Sequence, residues 1–214
     1  MLPRALWLLI ICAICALPRA AYANPVSFKD GWAIMPSYGG DWSDLQVNYS
    51  PTARFSFGPS EYYREGEQSS ANFGIGQINY LLKRWNELDS QGNLYASLGV
   101  GGRHDSLHND GFAGYGALEA NYETRRIYTL ASAESLQSGQ NVHFTRLRAR
   151  AGISPYKAPL ESLQSWLIVQ LDYMPEMQDP TRVTPLVRFF YNNYALEVGS
   201  STKGTLFLAA MAHF

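Results

Sequence analysis

The stretch 142–153, VHFTRLRARAGI, alternates apolar and polar residues with a period of two. Leu147, Ala149 and Ala151 fall on one side. The other side carries three arginines: Arg146, Arg148 and Arg150. On an α-helix these arginines would be spread around the axis, whereas on a β-strand they all point the same way. The sequence therefore predicts a strand here, with one uncharged face and one strongly basic face.

The same alternation recurs along most of the chain. It is clear at 45–49, 94–100, 163–173 and 194–198, and short polar or glycine-containing stretches separate these segments. Such breaks are typical of hairpin turns. The pattern predicts about twelve strands, although ten are also compatible with it. The first of these strands is expected near Trp32 to Ser37 and the last from Thr205 to Phe214.

The N-terminus has the features of a secretory signal peptide. Arg4 precedes an apolar run over 6–17, and a small-x-small pattern follows at 21–23. This run is well short of the roughly 20 residues that a membrane-spanning helix needs. We therefore predict export, with cleavage between Ala23 and Asn24. The predicted organisation is a signal peptide, 1–23, followed by a single barrel domain, 24–214.

Composition and motifs exclude several other classes of protein. The formal net charge of -1 and the pI near 6.4 provide no basic surface for nucleic acid. Both cysteines, Cys12 and Cys15, lie in the predicted leader, so the mature chain has no thiol for a disulfide, a metal site or a nucleophile. No glycine-rich phosphate loop, G-x-S-x-G or H-E-x-x-H motif is present, and we predict no cofactor.

An exported, cysteine-free chain of strands that each have an uncharged face resembles Gram-negative outer-membrane β-barrel proteins. In hydrocarbon, only a closed barrel pairs every backbone polar group of a set of strands. The resemblance covers most of residues 30–214 and includes the apolar face of the last strand: Leu206, Leu208, Ala210, Ala212 and Phe214. It implies an all-β, closed antiparallel transmembrane barrel with short hairpin turns and both termini in the periplasm. It also implies contact with outer-membrane lipids, and a last strand that the barrel-assembly machinery reads.

The polar face of each strand is then expected to line the barrel lumen. The alternation directs six arginines inward: Arg54, Arg146, Arg148, Arg150, Arg182 and Arg188. It also directs four carboxylates inward: Glu119, Glu123, Asp172 and Glu197. Because rings of charged side chains set selectivity, this excess predicts a narrow passive channel for small hydrophilic solutes, with a mild preference for anions. The alternative is a closed structural or adhesion-type barrel that is filled by paired side chains.

A third interpretation concerns the outer surface. His104 and Ser106 share the parity of Leu98 and Val100, which are predicted to face lipid. This pair resembles the His-x-Ser pair of outer-membrane phospholipases and lipid A deacylases, which implies a serine nucleophile and a histidine base. Those enzymes follow the serine with Asn-Gly, whereas Leu107-His108 follows here. The acid of the next strand, Glu119, is expected to point inward, so we do not predict an enzyme.

The same loop contains a possible metal-binding set: His104, Asp105, His108 and Asp110. Imidazole and carboxylate groups suit several divalent ions, but a structural metal site needs fixed geometry, which a flexible loop does not provide. The sequence therefore predicts no metal site.

Overall fold

The structure is a computed structural model that describes residues 24–66, 70–106, 110–139, 142–157, 159 and 162–214. The predicted signal peptide lies outside the described residues. The described part of the chain forms twelve strands: β1 (Gly31–Tyr38), β2 (Trp42–Thr52), β3 (Phe55–Glu65), β4 (Ser70–Asn86), β5 (Ser90–Asp105), β6 (Asp110–Thr124), β7 (Ile127–Ser138), β8 (Val142–Ile153), β9 (Gln164–Tyr173), β10 (Thr181–Tyr191), β11 (Tyr194–Ser200) and β12 (Leu206–His213).

The twelve strands form one closed antiparallel barrel. Each strand pairs with its neighbours in the chain, and β1 pairs with β12 to complete the circle. This confirms the predicted fold and the count of twelve strands. Because the strand number is even, both termini lie at the same end, here called the terminal end, and the opposite end is called the distal end. Several turns at the terminal end are short, such as Ala53–Arg54 and Asn192–Asn193.

The last residue of the chain takes part in closing the barrel. Phe214 donates its backbone N–H to the carbonyl of Trp32 at 2.9 Å and accepts the Trp32 N–H at 3.0 Å. Leu206, Leu208 and Ala210 on β12 are exposed on the outer surface. Ala212 has the same parity but is buried where it pairs with Ile34 on one side and Tyr194 on the other.

Apolar side chains cover the outer surface of the barrel. Those with exposed side chains include Leu98 and Val100 on β5, Leu118 on β6, Leu147 on β8, Leu167, Val169 and Leu171 on β9, Leu196 and Val198 on β11, and Leu206 and Leu208 on β12. An even-numbered antiparallel barrel with an apolar exterior and a polar interior has the architecture of an outer-membrane protein. No helix in the described ranges is long and apolar enough to cross a membrane.

With exceptions such as Ala212, the buried side chains lie inside the barrel, since a single closed sheet has no other large interior. One apolar cluster contains Trp42, Tyr128, Trp166, Ile168, Leu186 and Phe207, together with Met174 and Met177 from the loop after β9. A second contains Tyr62, Phe73, Ile75, Tyr115 and Leu136. Charged, amide and hydroxyl side chains occupy many of the remaining inward positions. The lumen is therefore narrow, because its own side chains fill much of the cross-section.

Candidate functional site: the barrel lumen

The predicted arginines of β8 line the lumen. Arg146, Arg148 and Arg150 alternate with outward-facing Leu147 and Ala149, as the period of two requires. Their carboxylate partners come from neighbouring strands and from the opposite wall, so the basic face of β8 is joined to several parts of the barrel. Asp172 on β9 pairs in register with Arg148 and accepts a hydrogen bond from its Nε at 2.7 Å.

Four buried charges form a network that crosses the lumen, here called the quartet: Asp44, Arg64, Glu134 and Arg146. Asp44 accepts from Arg64 Nη1 at 2.5 Å and from Arg146 Nη2 at 2.8 Å. Glu134 accepts from the same two arginines, at 2.9 Å each. Asp44 lies on β2 and Arg146 on β8, which are opposite walls of a twelve-stranded barrel. The quartet therefore links the two walls and constricts the lumen.

A second ion cluster lies along the wall formed by β8, β10 and β11. Glu197 accepts from Arg188 Nε at 2.6 Å and from Arg150 Nη1 at 3.1 Å. The guanidinium of Arg188 also lies over the ring of Tyr128, 4.2 Å from its centroid. Arg150 donates in addition to Gln170 at 2.8 Å. Each of these arginines is thus held in one orientation by several contacts, as buried guanidinium groups require.

Trp42 provides an aromatic surface under three of the lumen arginines. The guanidinium carbon of Arg146 lies 4.5 Å from the centroid of the indole ring, that of Arg148 5.3 Å and that of Arg64 5.9 Å. Trp42 is almost fully buried and packs against Phe207. Cation–π contacts of this kind stabilise charged groups that have been removed from water.

A cavity of about 180 Å³ lies beside these charges. Polar side chains that line it include Gln46, Gln77, Asn79, Ser97, Glu119 and Ser132, together with Arg146, Arg148, Arg150, Arg188 and Glu197. This volume accommodates several water molecules or one small solute. Glu119 forms no ion pair with another described residue and accepts one hydrogen bond, from Asn121 at 3.3 Å. The cavity is therefore polar, and its charged lining consists of four arginines and four carboxylates, of which Glu119 is unpaired.

The N-terminal segment 24–28 narrows the lumen at the terminal end. Ser56 Oγ donates to the carbonyl of Pro25 at 2.8 Å, and Asn121 Nδ2 donates to Asn24 Oδ1 at 2.9 Å. Val26 is buried in an apolar cluster with Leu81 and Tyr95. Pro25 also lines the cavity. The segment therefore lies inside the barrel, between the cavity and the terminal opening.

Hydrogen bonds to the barrel wall hold this segment in place. The backbone N–H of Ser27 donates to Ser50 Oγ at 2.9 Å, and Ser27 Oγ lies 2.9 Å from His213 Nδ1. The residues directly after the predicted cleavage site are thus part of the lumen. Sequence reasoning missed this role, because the segment has neither alternation nor charge.

The structure places most of the predicted lumen residues inside the barrel. Those that lie there are Arg146, Arg148, Arg150, Arg182, Arg188, Glu119, Glu123, Asp172 and Glu197. Arg54 is a correction, because it lies exposed in the turn between β2 and β3. The prediction treated 53–57 as one alternating strand, whereas residues 53 and 54 form the turn. The register between β2 and β3 also shifts between Tyr49 and Thr52, directly before this turn.

Three members of the quartet were missed: Asp44, Arg64 and Glu134. Asp44 could have been found, because it has the parity opposite to the apolar residues Leu45 and Val47 on the same strand. Glu134 lies on β7, whose outward side carries the small residues Ala131, Ala133 and Ser135. That strand has no strongly apolar face, so its sequence does not indicate which side is inward.

On the outer surface, His104 and Ser106 are exposed at the distal end of β5, as predicted. His104 Nδ1 lies 2.6 Å from Asp110 Oδ1, and the two residues pair in register across β5 and β6. Ser106 Oγ accepts the backbone N–H of Ser70 at 3.2 Å. His108 lies outside the described residues. Within the described part of the chain, no three histidine or acidic residues group into a metal-binding cluster.

Comparison with known proteins gave structural similarities only. No protein-family model and no curated protein matches the sequence. The KdgM porin in complex with disordered oligogalacturonate has a TM-score of 0.46 and 14% identity, over 86% of this chain and 99% of that one. LpxR from Salmonella typhimurium has a TM-score of 0.41 and 11% identity, over 86% and 99%. The outer-membrane channel DcaP of Acinetobacter baumannii has a TM-score of 0.33 and 10% identity, over 86% and 95%.

These scores and identities are too low for any binding or catalytic property of those proteins to be transferred to this chain. The assignment to barrels of the outer-membrane type rests on the closed sheet of twelve antiparallel strands, its apolar exterior and its polar lumen.

Proposed function

We propose that the protein is a narrow passive channel of the outer membrane, for small hydrophilic solutes and with a mild preference for anions. The observation that carries the proposal is the polar cavity inside the barrel, beside the quartet and the N-terminal segment 24–28. A barrel with a purely structural role has no need of a polar cavity in its lumen. The constrictions limit passage to solutes of a few non-hydrogen atoms.

The charges of the lumen are consistent with a preference that is only mild. The two ion clusters contain five guanidinium groups, from Arg64, Arg146, Arg148, Arg150 and Arg188, and four carboxylates, from Asp44, Glu134, Asp172 and Glu197. Glu119 lines the same cavity and is a fifth carboxylate, so the formal charges balance. Electrostatic selectivity of this kind follows the balance of charge at the narrowest part of a pore.

Single-channel conductance of the refolded, heat-modifiable protein in a planar bilayer tests the proposal. We expect small discrete steps of current. Under a salt gradient, the reversal potential should be displaced toward the equilibrium potential of the anion. Silence from demonstrably folded protein would instead support the closed structural or adhesion-type barrel. In either case we propose that outer-membrane lipids surround the barrel, and that Leu206, Leu208, Ala210, Ala212 and Phe214 present the assembly signal.

Replacing Glu119 by Gln is expected to shift the reversal potential further toward anions. Glu119 forms no ion pair with another described residue, so this substitution removes one negative charge from the cavity without breaking a salt bridge. Glu61→Gln is the matched control, because Glu61 is exposed on the outer surface of β3. Equal reversal potentials for wild type and Glu119→Gln would show that ions do not pass this cavity.

A second candidate function, hydrolysis of lipid esters, is favoured by the contact between His104 and Asp110. That carboxylate orients the imidazole, which is the role that the third member of a serine-histidine-acid site has. In the reaction, His104 would take the Ser106 proton as Ser106 Oγ attacks the ester carbonyl. The protonated His104 would then return the proton to the leaving alkoxide, and water would release the acyl group by the same route.

Incubation of the folded protein with phospholipid vesicles and with lipopolysaccharide tests this candidate. Free fatty acid that disappears in Ser106→Ala and falls strongly in Asp110→Asn would support it. Ser90→Ala is a matched control, because Ser90 lies at the terminal end of the same strand. Unchanged lipid with the wild-type protein would eliminate the candidate without affecting the channel proposal.

A further inference from the structure

The loop between β9 and β10, residues 174–180 and here called the distal loop, places two side chains inside the barrel. Met174 and Met177 are 2% and 3% exposed and belong to the same apolar cluster as Trp42 and Phe207. The other described members of that buried cluster lie on strands. Loops usually lie on the surface, because their backbone polar groups need water. A loop whose methionines are buried in the lumen therefore requires an explanation.

The distal loop packs directly on the quartet. One small crevice is lined by three residues of the quartet and three of the loop: Arg64, Glu134 and Arg146, and Met174, Glu176 and Met177. This crevice is too small to hold a water molecule. Because the loop is at the distal end, it covers these charges from the distal side. In this arrangement no solute can reach them from that side between the loop and the quartet.

Glu176 attaches the distal loop to β8. Its Oε2 accepts the backbone N–H of Thr145 at 3.0 Å, and its Oε1 lies 3.5 Å from Nε2 of His143. The pairing of β8 with β9 begins only at Leu147 and Tyr173, so Thr145 lies beyond the end of β9. The carboxylate of Glu176 thus takes the place of a strand carbonyl. This attachment can break without the loss of any strand pairing.

A second attachment lies on the side of β11 and β12. Asp179 forms an ion pair with Lys203, which is in the turn between those strands and is mostly exposed. Exposed ion pairs contribute little to stability. At its base, the loop is closed by a hydrogen bond of 2.7 Å from the Met174 N–H to the Pro180 carbonyl. A segment that few contacts hold can open without global unfolding, so the loop can move as a unit about this base.

We propose that the distal loop is a lid over the distal mouth of the channel, and that solutes pass while Met177 is withdrawn from the lumen. Side chains on strands cannot leave the lumen without disrupting the sheet, whereas those on the loop can. Met177 is flexible and apolar, so it packs into the cluster without a specific polar partner that has to be matched on closing. Movement of the lid sets how often the channel opens. The quartet and the N-terminal segment 24–28 set how much current passes when it is open.

This assignment rests on the proposed channel, because a lid has a purpose only where solutes pass. The movement of the loop does not require ion flow, however, and can be measured without it. A silent barrel whose loop opens would overturn the channel alone. Conductance through a barrel whose loop stays closed would overturn the lid alone.

Chemical labelling of Met177→Cys in the refolded protein measures the opening directly. Residues 24–214 contain no cysteine, so the introduced thiol is the only one. A small charged methanethiosulfonate should react with it slowly, because the thiol is accessible only while the loop is open. Gln178→Cys is the matched control, since Gln178 is exposed in the same loop, and it should react much faster. Equal rates, or no reaction at all with Met177→Cys, would overturn the lid.

Substitutions of Glu176 test what holds the lid closed. Glu176→Ala should raise the labelling rate of Met177→Cys about tenfold, as the loss of one hydrogen bond to a charged group predicts. Glu176→Gln keeps an acceptor for the Thr145 N–H, and its rate should stay close to that with Glu176. The rate for Gln178→Cys should not change in either background. Unchanged labelling of Met177→Cys in Glu176→Ala would contradict the proposal.

A reversible bridge between Asp179→Cys and Lys203→Cys tests the effect of the lid on permeation. The two thiols replace the ion pair, and a short bifunctional methanethiosulfonate links them. Bridging should lower the frequency of conductance steps severalfold without changing their size, and dithiothreitol should restore it. The same variant treated with methyl methanethiosulfonate, which cannot bridge, is the control. An equal frequency of steps with and without the bridge would overturn the lid and leave the channel in place. Silence in every state would overturn the channel, and the labelling rates alone would then decide whether the loop opens.

Discussion

We expect Asp44→Asn to lower the free energy of unfolding by about 3–5 kcal/mol, the usual cost of removing one partner from a buried ion pair. Asp44 is almost fully buried and accepts hydrogen bonds from both Arg64 and Arg146. The amide has the shape of the carboxylate but no charge. The two arginines would then share the single carboxylate of Glu134 inside the barrel. Urea unfolding in detergent, followed by the heat-modifiable shift on gels, measures this change.

The matched control for this prediction is Asp89→Asn. Asp89 is exposed in the turn between β4 and β5 at the terminal end. Exposed carboxylates without close partners contribute little to stability. The control should therefore unfold at the wild-type urea concentration. If Asp44→Asn unfolds there as well, the quartet does not stabilise the barrel, and its constriction of the lumen would also be in doubt.

The second large effect is expected from a variant that begins at Lys29 and so lacks residues 24–28. These residues lie inside the barrel at its terminal end, held by Ser50, Ser56 and Asn121. Their removal opens the cavity toward that end. Single-channel conductance should rise severalfold over wild type, and discrete steps should appear even if the wild-type barrel is silent.

Leu88→Ala is the control for this prediction, because Leu88 is fully exposed in a turn at the same end and contacts no part of the lumen. Its conductance should equal that of wild type. A truncated barrel that folds but conducts no better than wild type would show that the quartet, rather than the N-terminal segment, sets the resistance. Combining the truncation with Arg146→Lys would then identify the limiting constriction.

The fold could be predicted from the sequence because alternation reports directly which side of a strand faces lipid. On β8 the contrast between the outward apolar residues and the arginines is strong, and the structure places Arg146, Arg148 and Arg150 on the inward side. The last strand was predicted over Thr205 to Phe214 and is observed over Leu206–His213. The same rule gave Arg182 and Arg188, but it wrongly placed Arg54 inside the barrel and missed Arg64.

The ion pairs between side chains on opposite walls of the lumen could not be predicted from alternation. The quartet joins Asp44 to Arg146, which are 102 residues apart in the chain. Alternation shows whether a side chain faces the lumen, but not which side chain lies opposite it. Which strands face each other depends on the strand count and the stagger of the closed sheet. The position of residues 24–28 could not be predicted either. The segment has no alternation that indicates its direction, and it is held by hydrogen bonds from Ser56 and Asn121, which are distant in the sequence.

The quartet also has a mechanical consequence. A cylinder made of one sheet resists stretching along its strands, but it flattens easily into an oval, because flattening bends the sheet without breaking hydrogen bonds. A strut across the diameter opposes that deformation. Asp44 and Arg146 form such a strut between β2 and β8. Lateral pressure from the surrounding bilayer should therefore change the cross-section of this barrel less than that of one with an empty lumen, and its solute limit should be insensitive to the lipids around it.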